Sequence, residues 1–196
     1  MFTLLIATKN RHKLNEISTI LVNRPIELKS LADFDNSPEI IENGQTFREN
    51  AAIKADTCFE YFHLPAMGDD SGLEVPALGN EPGVFSARYA GADTNDLKNN
   101  LYLLDKMKGL TGEQRRARFV CTICYRDEGH REFFTGTTEG YILEEFRGQS
   151  GFGYDPIFYI PEIGKTYAEL SMEEKNAISH RGKAMIKFAA FLDKIT

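Results

Sequence analysis

The sequence has no apolar run approaching the ~20 residues that cross a bilayer, which excludes a membrane-spanning helix. It is short of positive charge, with 23 Lys and Arg against 29 Asp and Glu and a formal net charge of −6. A domain built to hold DNA or RNA carries the opposite sign, so neither a nucleic acid nor a membrane is expected as a partner. A small anion held by a local basic pocket stays open. Cysteine is scarce: Cys58, Cys121 and Cys124. The odd count argues against a disulfide framework. Cys121 and Cys124 lie in "ARFVCTICYR", which alternates like a strand. Residues three apart on a strand face opposite ways, and no second CxxC or HxxxH supplies further zinc ligands. These cysteines are expected to be structural. Internal repeats, a Walker A loop and a complete GxGxxG are also missing. The opening "MFTLLIATKNRHK" puts its basic residues after the apolar run, the reverse of a signal peptide, so a cytoplasmic protein is expected.

What is present is an ordinary globular mixture, 196 residues with 42% apolar and 27% charged. That length suits one domain, with two lobes around a cleft as a variant. "FTLLIA", Phe2 to Ala7, predicts a buried strand, and Leu14, Ile17 and Leu21 predict a helix to about Val22. This β-loop-α unit favours an α/β architecture. "IELKSL" predicts a second strand, and residues 32–45 an acidic loop. Thr46 and Glu49 form a capping box ahead of a helix whose stripe is Phe47, Ala51, Cys58 and Phe62. Lys54 falls on that stripe, where it must snorkel or point into a cleft. "GLEV" predicts a short strand after Asp69 and Asp70, and "NEPGVFSARYAG" a loop. A helix from Asp93 or Thr94 to Gly109 carries Leu97, Leu101 and Leu104. "ARFVCTICYRDEGHREFFTGTTEGYIL" predicts three strands with turns near Glu128-Gly129 and Gly136. Ser171 and Glu174 form a second capping box. Ser179 is a candidate N-cap for a final helix, with His180 and Arg181 in its first turn.

Four stretches are too polar for their setting. "ATKNRHKLNE" runs a strand into a helix through a loop rich in donors, which is either an anion site or a solvated turn. "PAMGDDSGLEVP" sets Asp69 beside Asp70 with no basic residue within five positions. Adjacent carboxylates at the edge of a core need a cation or donors, and Mg²⁺ bound to phosphate needs only one or two carboxylates. A D-S-G turn is the bland alternative. "SGFGYDPIF" combines glycines with Phe152 and Tyr154, either a shelf for a base or a structural turn. "EEKNAISHRGKAM" gathers Lys175, His180 and Arg181 near one helix start, where a solvated helix face is the alternative.

Together these stretches resemble the inosine/xanthosine triphosphate pyrophosphatase family. "ATKNRHKLNE" fits that family's A-T-x-N-x-x-K-x-x-E opening, and "TFRENAAIKA" its T-F-x-E-N-A-x-x-K-A helix. "DDSGLEV", "PGVFSARYAG", "GFGYDPIF" and "EEKNAISHRGKA" follow in the family's order. The resemblance implies an elongated α/β fold, its long mixed central sheet flanked by helices, with two lobes and a cleft between them, assembled as a homodimer. It implies Mg²⁺-dependent hydrolysis of dITP, ITP and XTP to the monophosphate and pyrophosphate. Thr8, Asn10, Lys13 and Lys54 are then expected at the phosphates, within a substrate-binding stretch that also holds Lys9, Arg11 and His12 at variable positions of the pattern. Glu42 and Asp70 are expected to bind the metal, and Asp70 to accept the proton, with Asp69 supporting it; Asp70, Asp69 and Lys54 are the catalytic candidates. Ser71 is expected to touch substrate. Phe152 is expected to stack on the base beside Gly153, Tyr154 and Asp155, and Lys175, His180 and Arg181 to read its edge. A pyrophosphatase for pyrimidine or other modified nucleotides, and a non-catalytic nucleotide sensor, are the alternatives.

Overall fold

The first apolar run forms strand β1 (Phe2–Ile6), and helix α1 (Arg11–Leu21) follows it across a four-residue loop. This is a computed structural model, and it describes residues 2–195. Asn10 starts α1 as its N-cap, its side chain accepting from the backbone N–H of His12 and Lys13. Strand β2 (Ile26–Ser30) lies parallel to β1. The acidic stretch holds one short turn of helix, Leu31–Asp33, before α2 (Phe47–Phe62). Thr46 and Glu49 cap α2 reciprocally, as the capping box requires.

Strand β3 (Ala66–Val75) departs from expectation. It is a single ten-residue strand, so Asp69 and Asp70 lie inside it and not at a turn before "GLEV". Gly68, inside the strand, serves close packing. A Cβ there would lie 2.1 Å from the carbonyl oxygen of Ala51 on α2. The stretch expected as loop contains the two-residue strand β4 (Glu81–Pro82), antiparallel to β3, and a helical turn at Gly83–Arg88. Helix α3 (Asp96–Lys106) starts later than predicted, with Asn95 as its N-cap. Leu97 and Leu101 are exposed, while Asn99, Asn100 and Leu103 are buried.

Two strands, not three, come next: β5 (Arg116–Arg126) and β6 (Arg131–Ile142). Gly136 is interior to β6, where a Cβ would sit 2.2 Å from the carbonyl oxygen of His180. Here a glycine that read as a turn admits a helix. Strands β7 (Phe158–Ile160) and β8 (Lys165–Thr166) are antiparallel neighbours. Helix α4 (Met172–Ile178) carries the Ser171–Glu174 capping box, and Ser179 in extended conformation separates it from α5 (His180–Ile195). The sheet order is β2-β1-β3-β5-β6-β7-β8, with β4 on β3. Parallel pairs at β1 and antiparallel pairs at β7 make the sheet mixed. Among the described residues no helix is long and apolar enough to cross a membrane.

The chain divides into two compact units. One contains the residues up to Asp70, Cys121–Gly136 and the residues from His180 onward. Its main core packs Leu4, Ile6 and Met67 of the sheet against Ile17 and Leu21 of α1 and Met185, Phe188 and Leu192 of α5. Ala51, Ala52 and Ala55 of α2 pack with Cys124 in a separate cluster. Cys121 belongs to the first cluster and Cys124 to the second, as opposite strand faces demand. Both cysteines are buried and free. The other unit contains Ser71–Val120 and Thr137–Ser179, with a core built on Leu73, Val75, Leu103, Phe119, Phe158 and Tyr167.

Candidate active site

Alternation along β3 sends Asp69 and Asp70 to different neighbours. Asp69 shares its face with Met67, on the side of α1 and α5. Its side chain is completely buried. Arg181, in the first turn of α5, donates from Nε to Asp69 Oδ2 at 2.9 Å, and Cys121 Sγ donates to the same oxygen at 3.1 Å. Lys13 of α1 pairs with Asp69 Oδ1 and reaches the Asp69 carbonyl at 3.4 Å. Arg181 in turn pairs through Nη1 with the buried Glu16 of α1. Burial alone would raise the Asp69 carboxyl, but Arg181 and Lys13 hold it well below the usual carboxylate range. The Cys121 thiol is pushed well up by burial and by that carboxylate, so it is a neutral donor.

Asp70 shares its face with Gly68 and therefore meets α2. Lys54 donates to Asp70 Oδ1 at 2.8 Å and to Glu42 Oε2 at 2.7 Å. The close approach at Gly68, where a Cβ would lie 2.9 Å from the Lys54 Cβ, sets the start of the Lys54 side chain against this part of β3. The buried Asp70 Oδ2 has no hydrogen-bond partner among the described residues. Burial raises the Asp70 carboxyl above its ordinary value; Lys54 opposes this without cancelling it, and Glu42 adds to it. Burial would lower Lys54, but Asp70 and Glu42 together hold it protonated. Burial would raise Glu42, but Lys54, Lys13 and the Asp70 carboxyl together hold it below its ordinary value.

Among the described residues no three His, Cys, Asp or Glu side chains form a self-sufficient metal cage. Two carboxylates on one lysine, with one buried oxygen uncommitted, fit an ion that takes its other ligands from phosphate and water. Mg²⁺ is such an ion. The loop after β1 lies in the same unit. There Thr8 Oγ1 accepts from the Asn10 N–H at 3.1 Å, and Lys9, Arg11 and His12 are exposed.

The second unit holds the other half of the expected residues, beginning with half-buried Ser71. Lys175 Nζ is 2.6 Å from Asp155 Oδ2 and 4.8 Å from the centroid of the Phe152 ring. Asp155 Oδ2 also accepts from the Phe152 N–H at 2.9 Å, closing a tight turn. Tyr154 is buried, its hydroxyl donating to the Ser86 carbonyl at 2.8 Å. Lys175, His180 and Arg181, expected at the base edge, lie on either side of Ser179, the residue between α4 and α5. Lys175 pairs with Asp155 in this unit; buried His180 and Arg181 belong to the first, where Arg181 holds Asp69 and Glu16. Sequence reasoning also missed Glu16 as the anchor of Arg181, although the opening motif ends on that residue.

A family model described as the Ham1 family matches residues 4–191. The chain is 50% identical over 188 residues to a protein of Geobacillus kaustophilus named dITP/XTP pyrophosphatase, covering 95% of this chain and 92% of that one. A Thermus thermophilus protein of the same name is 52% identical over 183 residues, covering 92% of this chain and 86% of its own length. The solved structure of a HAM1 protein from Coxiella burnetii superposes with a TM-score of 0.91 at 40% identity, covering 99% of this chain and all of that one. The chain belongs to the Ham1 family.

Proposed function

We propose that this chain hydrolyses the non-standard purine nucleoside triphosphates dITP, ITP and XTP to the monophosphate and pyrophosphate, with Mg²⁺ as cofactor. One observation carries the proposal: a buried lysine bridges two carboxylates, and one carboxylate oxygen, Asp70 Oδ2, is buried without a partner. The relatives named for dITP and XTP cleavage support the substrate class.

Glu42 and Asp70 would hold the Mg²⁺, which when bound offsets phosphate charge and makes a coordinated water easier to deprotonate. Lys13 and Lys54 add positive charge for the phosphates, and Thr8 and Asn10 lie in the strand-to-helix loop suited to an anion. Asp70, with its raised proton affinity, accepts the proton of the attacking water. The water oxygen bonds to the α-phosphorus, the α–β bridging P–O bond breaks, and pyrophosphate leaves. Asp69 acts only by placing Lys13, because Arg181, Lys13 and Cys121 engage both of its oxygens. Phosphoryl chemistry asks a protein mainly for this positioning and charge stabilisation.

Phe152 supplies the stacking face, with Gly153, Tyr154 and Asp155 forming its turn. Lys175 and His180 read the base edge by donating toward the C6 oxygen of hypoxanthine or xanthine, where adenine carries an amino donor. Opposing donors disfavour adenine by ~3 kcal/mol. Arg181 contributes through Asp69. A single cytoplasmic domain acting as a homodimer completes the proposal; Leu97 and Leu101, exposed and four residues apart on α3, suit a surface covered by a second copy.

The test is pyrophosphate release from ITP, XTP, dITP, GTP, ATP and dTTP, with and without Mg²⁺. Release from ITP, XTP and dITP that depends on Mg²⁺ is expected. Preference for dTTP would move the chain to pyrimidine cleansing, and binding without release would make it a sensor.

A further inference from the structure

The turn that carries Phe152 is held from outside as well as from within. Phe152 N–H donates to Asp155 Oδ2 at 2.9 Å. The next amide, Gly153 N–H, donates to Asp96 Oδ2 at 2.7 Å. The Gly153 carbonyl accepts from Asn100 Nδ2 at 2.7 Å, and that same Nδ2 donates to the Asp96 carbonyl at 2.6 Å. Asp96 opens α3 and Asn100 lies one turn later, so both point from one helix face. Gly153 is left-handed, φ +63°, with nothing within 4 Å of where a Cβ would be. Its glycine is therefore demanded by backbone angle, not by crowding.

The consequence falls on Phe152. Its own N–H and the N–H that follows it are each tied to a carboxylate, and the carbonyl beyond is tied to a buried amide. The peptide planes on both sides of its Cα are thereby fixed, and with them the direction of its Cα–Cβ bond. The Gly153 N–H is therefore not left to donate to a base. Asn100 is 2% exposed, which is a costly place for an amide that only fills a helix face.

We infer that Asp96 and Asn100 are positioning residues for the base site: they clamp the Gly153 backbone so that the Phe152 ring is presented in one orientation. This deepens the proposed function and rests on Phe152 being the stacking surface. The chemistry it serves is a planar purine base, for which a pre-set ring costs less to organise than a mobile one.

The test compares Asp96→Ala, Asp96→Asn, Phe152→Ala and the double variant Asp96→Ala/Phe152→Ala, with ITP as substrate. Asp96→Ala is expected to raise KM about tenfold while kcat stays within about twofold. Asp96→Asn keeps an oxygen acceptor and is expected to hold KM within about threefold. Both substitutions remove the same charge from the first turn of α3, so equal KM values for the two would reduce the effect to helix stability and overturn the clamp. In the Phe152→Ala background, Asp96→Ala is expected to add little; full additivity would also overturn it. Hydrogen exchange gives a readout independent of turnover: the Gly153 amide is expected to lose protection in Asp96→Ala and keep it in Asp96→Asn. Unchanged protection in Asp96→Ala overturns the clamp directly. If Phe152→Ala leaves KM unchanged, the stacking surface itself is wrong and the clamp's purpose falls with it.

Discussion

Asp69 and Asp70 are neighbours on one strand, chemically identical, and opposite in almost every physical respect. Asp69 has a guanidinium, an ammonium and a thiol on its two oxygens, and its carboxyl is held far below the ordinary range. Asp70 has one lysine, which it shares with Glu42, plus a buried oxygen with no partner, and its carboxyl is raised. A carboxylate with every lone pair answered is a structural device. One left partly unanswered in a buried place retains unspent capacity for a cation or a proton. Adjacency in sequence therefore says little about role; the parity of the strand decides it.

The largest effect is expected at Asp70. Asp70→Asn should lower pyrophosphate release from ITP by about 10³-fold, with nucleotide binding still detectable by calorimetry and the melting temperature unchanged or raised. A drop in melting temperature of several degrees would make Asp70 a structural residue like its neighbour. Next comes Asp69→Asn. It leaves Arg181 and Lys13 facing a neutral amide, and loss of a buried ion-pair partner costs about 3 kcal/mol. Urea unfolding should show this as a lower midpoint with an unchanged slope. A midpoint equal to wild type would mean that Glu16 alone satisfies Arg181 and that the two aspartates differ less than their contacts suggest.

Much of the frame was legible in the sequence because it is local. The capping boxes at Thr46–Glu49 and Ser171–Glu174 need only residues three apart, and the break at Ser179 needs only one. The site was legible as a set of unusual residues, but not as a geometry. Arg181 finds Asp69 across 112 positions, and no local pattern encodes that pairing. Gly136 read as a turn because glycine marks both turns and close approaches, and only the packed helix tells them apart. The stripe on α3 misled for a related reason. Asn99 and Asn100 are buried because they hold backbone of other segments, Asn99 at Ala87 and Ala90 and Asn100 at Gly153, which leaves Leu97 and Leu101 outside.

The comparison can also be attacked through the glycine that admits α2. Gly68→Ala would set its methyl 2.1 Å from the Ala51 carbonyl, so α2 must shift. Overpacking of this kind costs about 1–3 kcal/mol. Because Lys54 rides on α2, the shift should separate Lys54 from Asp70 while sparing the Arg181–Asp69 pair. Turnover per folded molecule is then expected to fall more steeply than stability does. Equal losses of the two, measured by active-fraction titration against urea midpoints, would mean that α2 yields without moving Lys54.

The smallest effect, and the most direct view of the contrast, lies in acid. Both aspartates have an unfolded pKa of about 3.9. Asp69 is lowered in the fold, so its stabilisation is fully present above that unfolded value and is lost only as pH falls through its folded pKa. Asp70 is raised in the fold, so the native state binds more protons between its unfolded and folded pKa values, and its cost is relieved as pH falls through that window. The stability gap between wild type and Asp69→Asn should therefore persist down to about pH 4 and close only below it. The gap between wild type and Asp70→Asn should instead shift in favour of wild type as pH falls toward the same value. Melting curves at pH 7, 6, 5 and 4 distinguish the two slopes. If both gaps move in the same direction, the neighbouring carboxyls share one electrostatic environment and the division of labour between them fails.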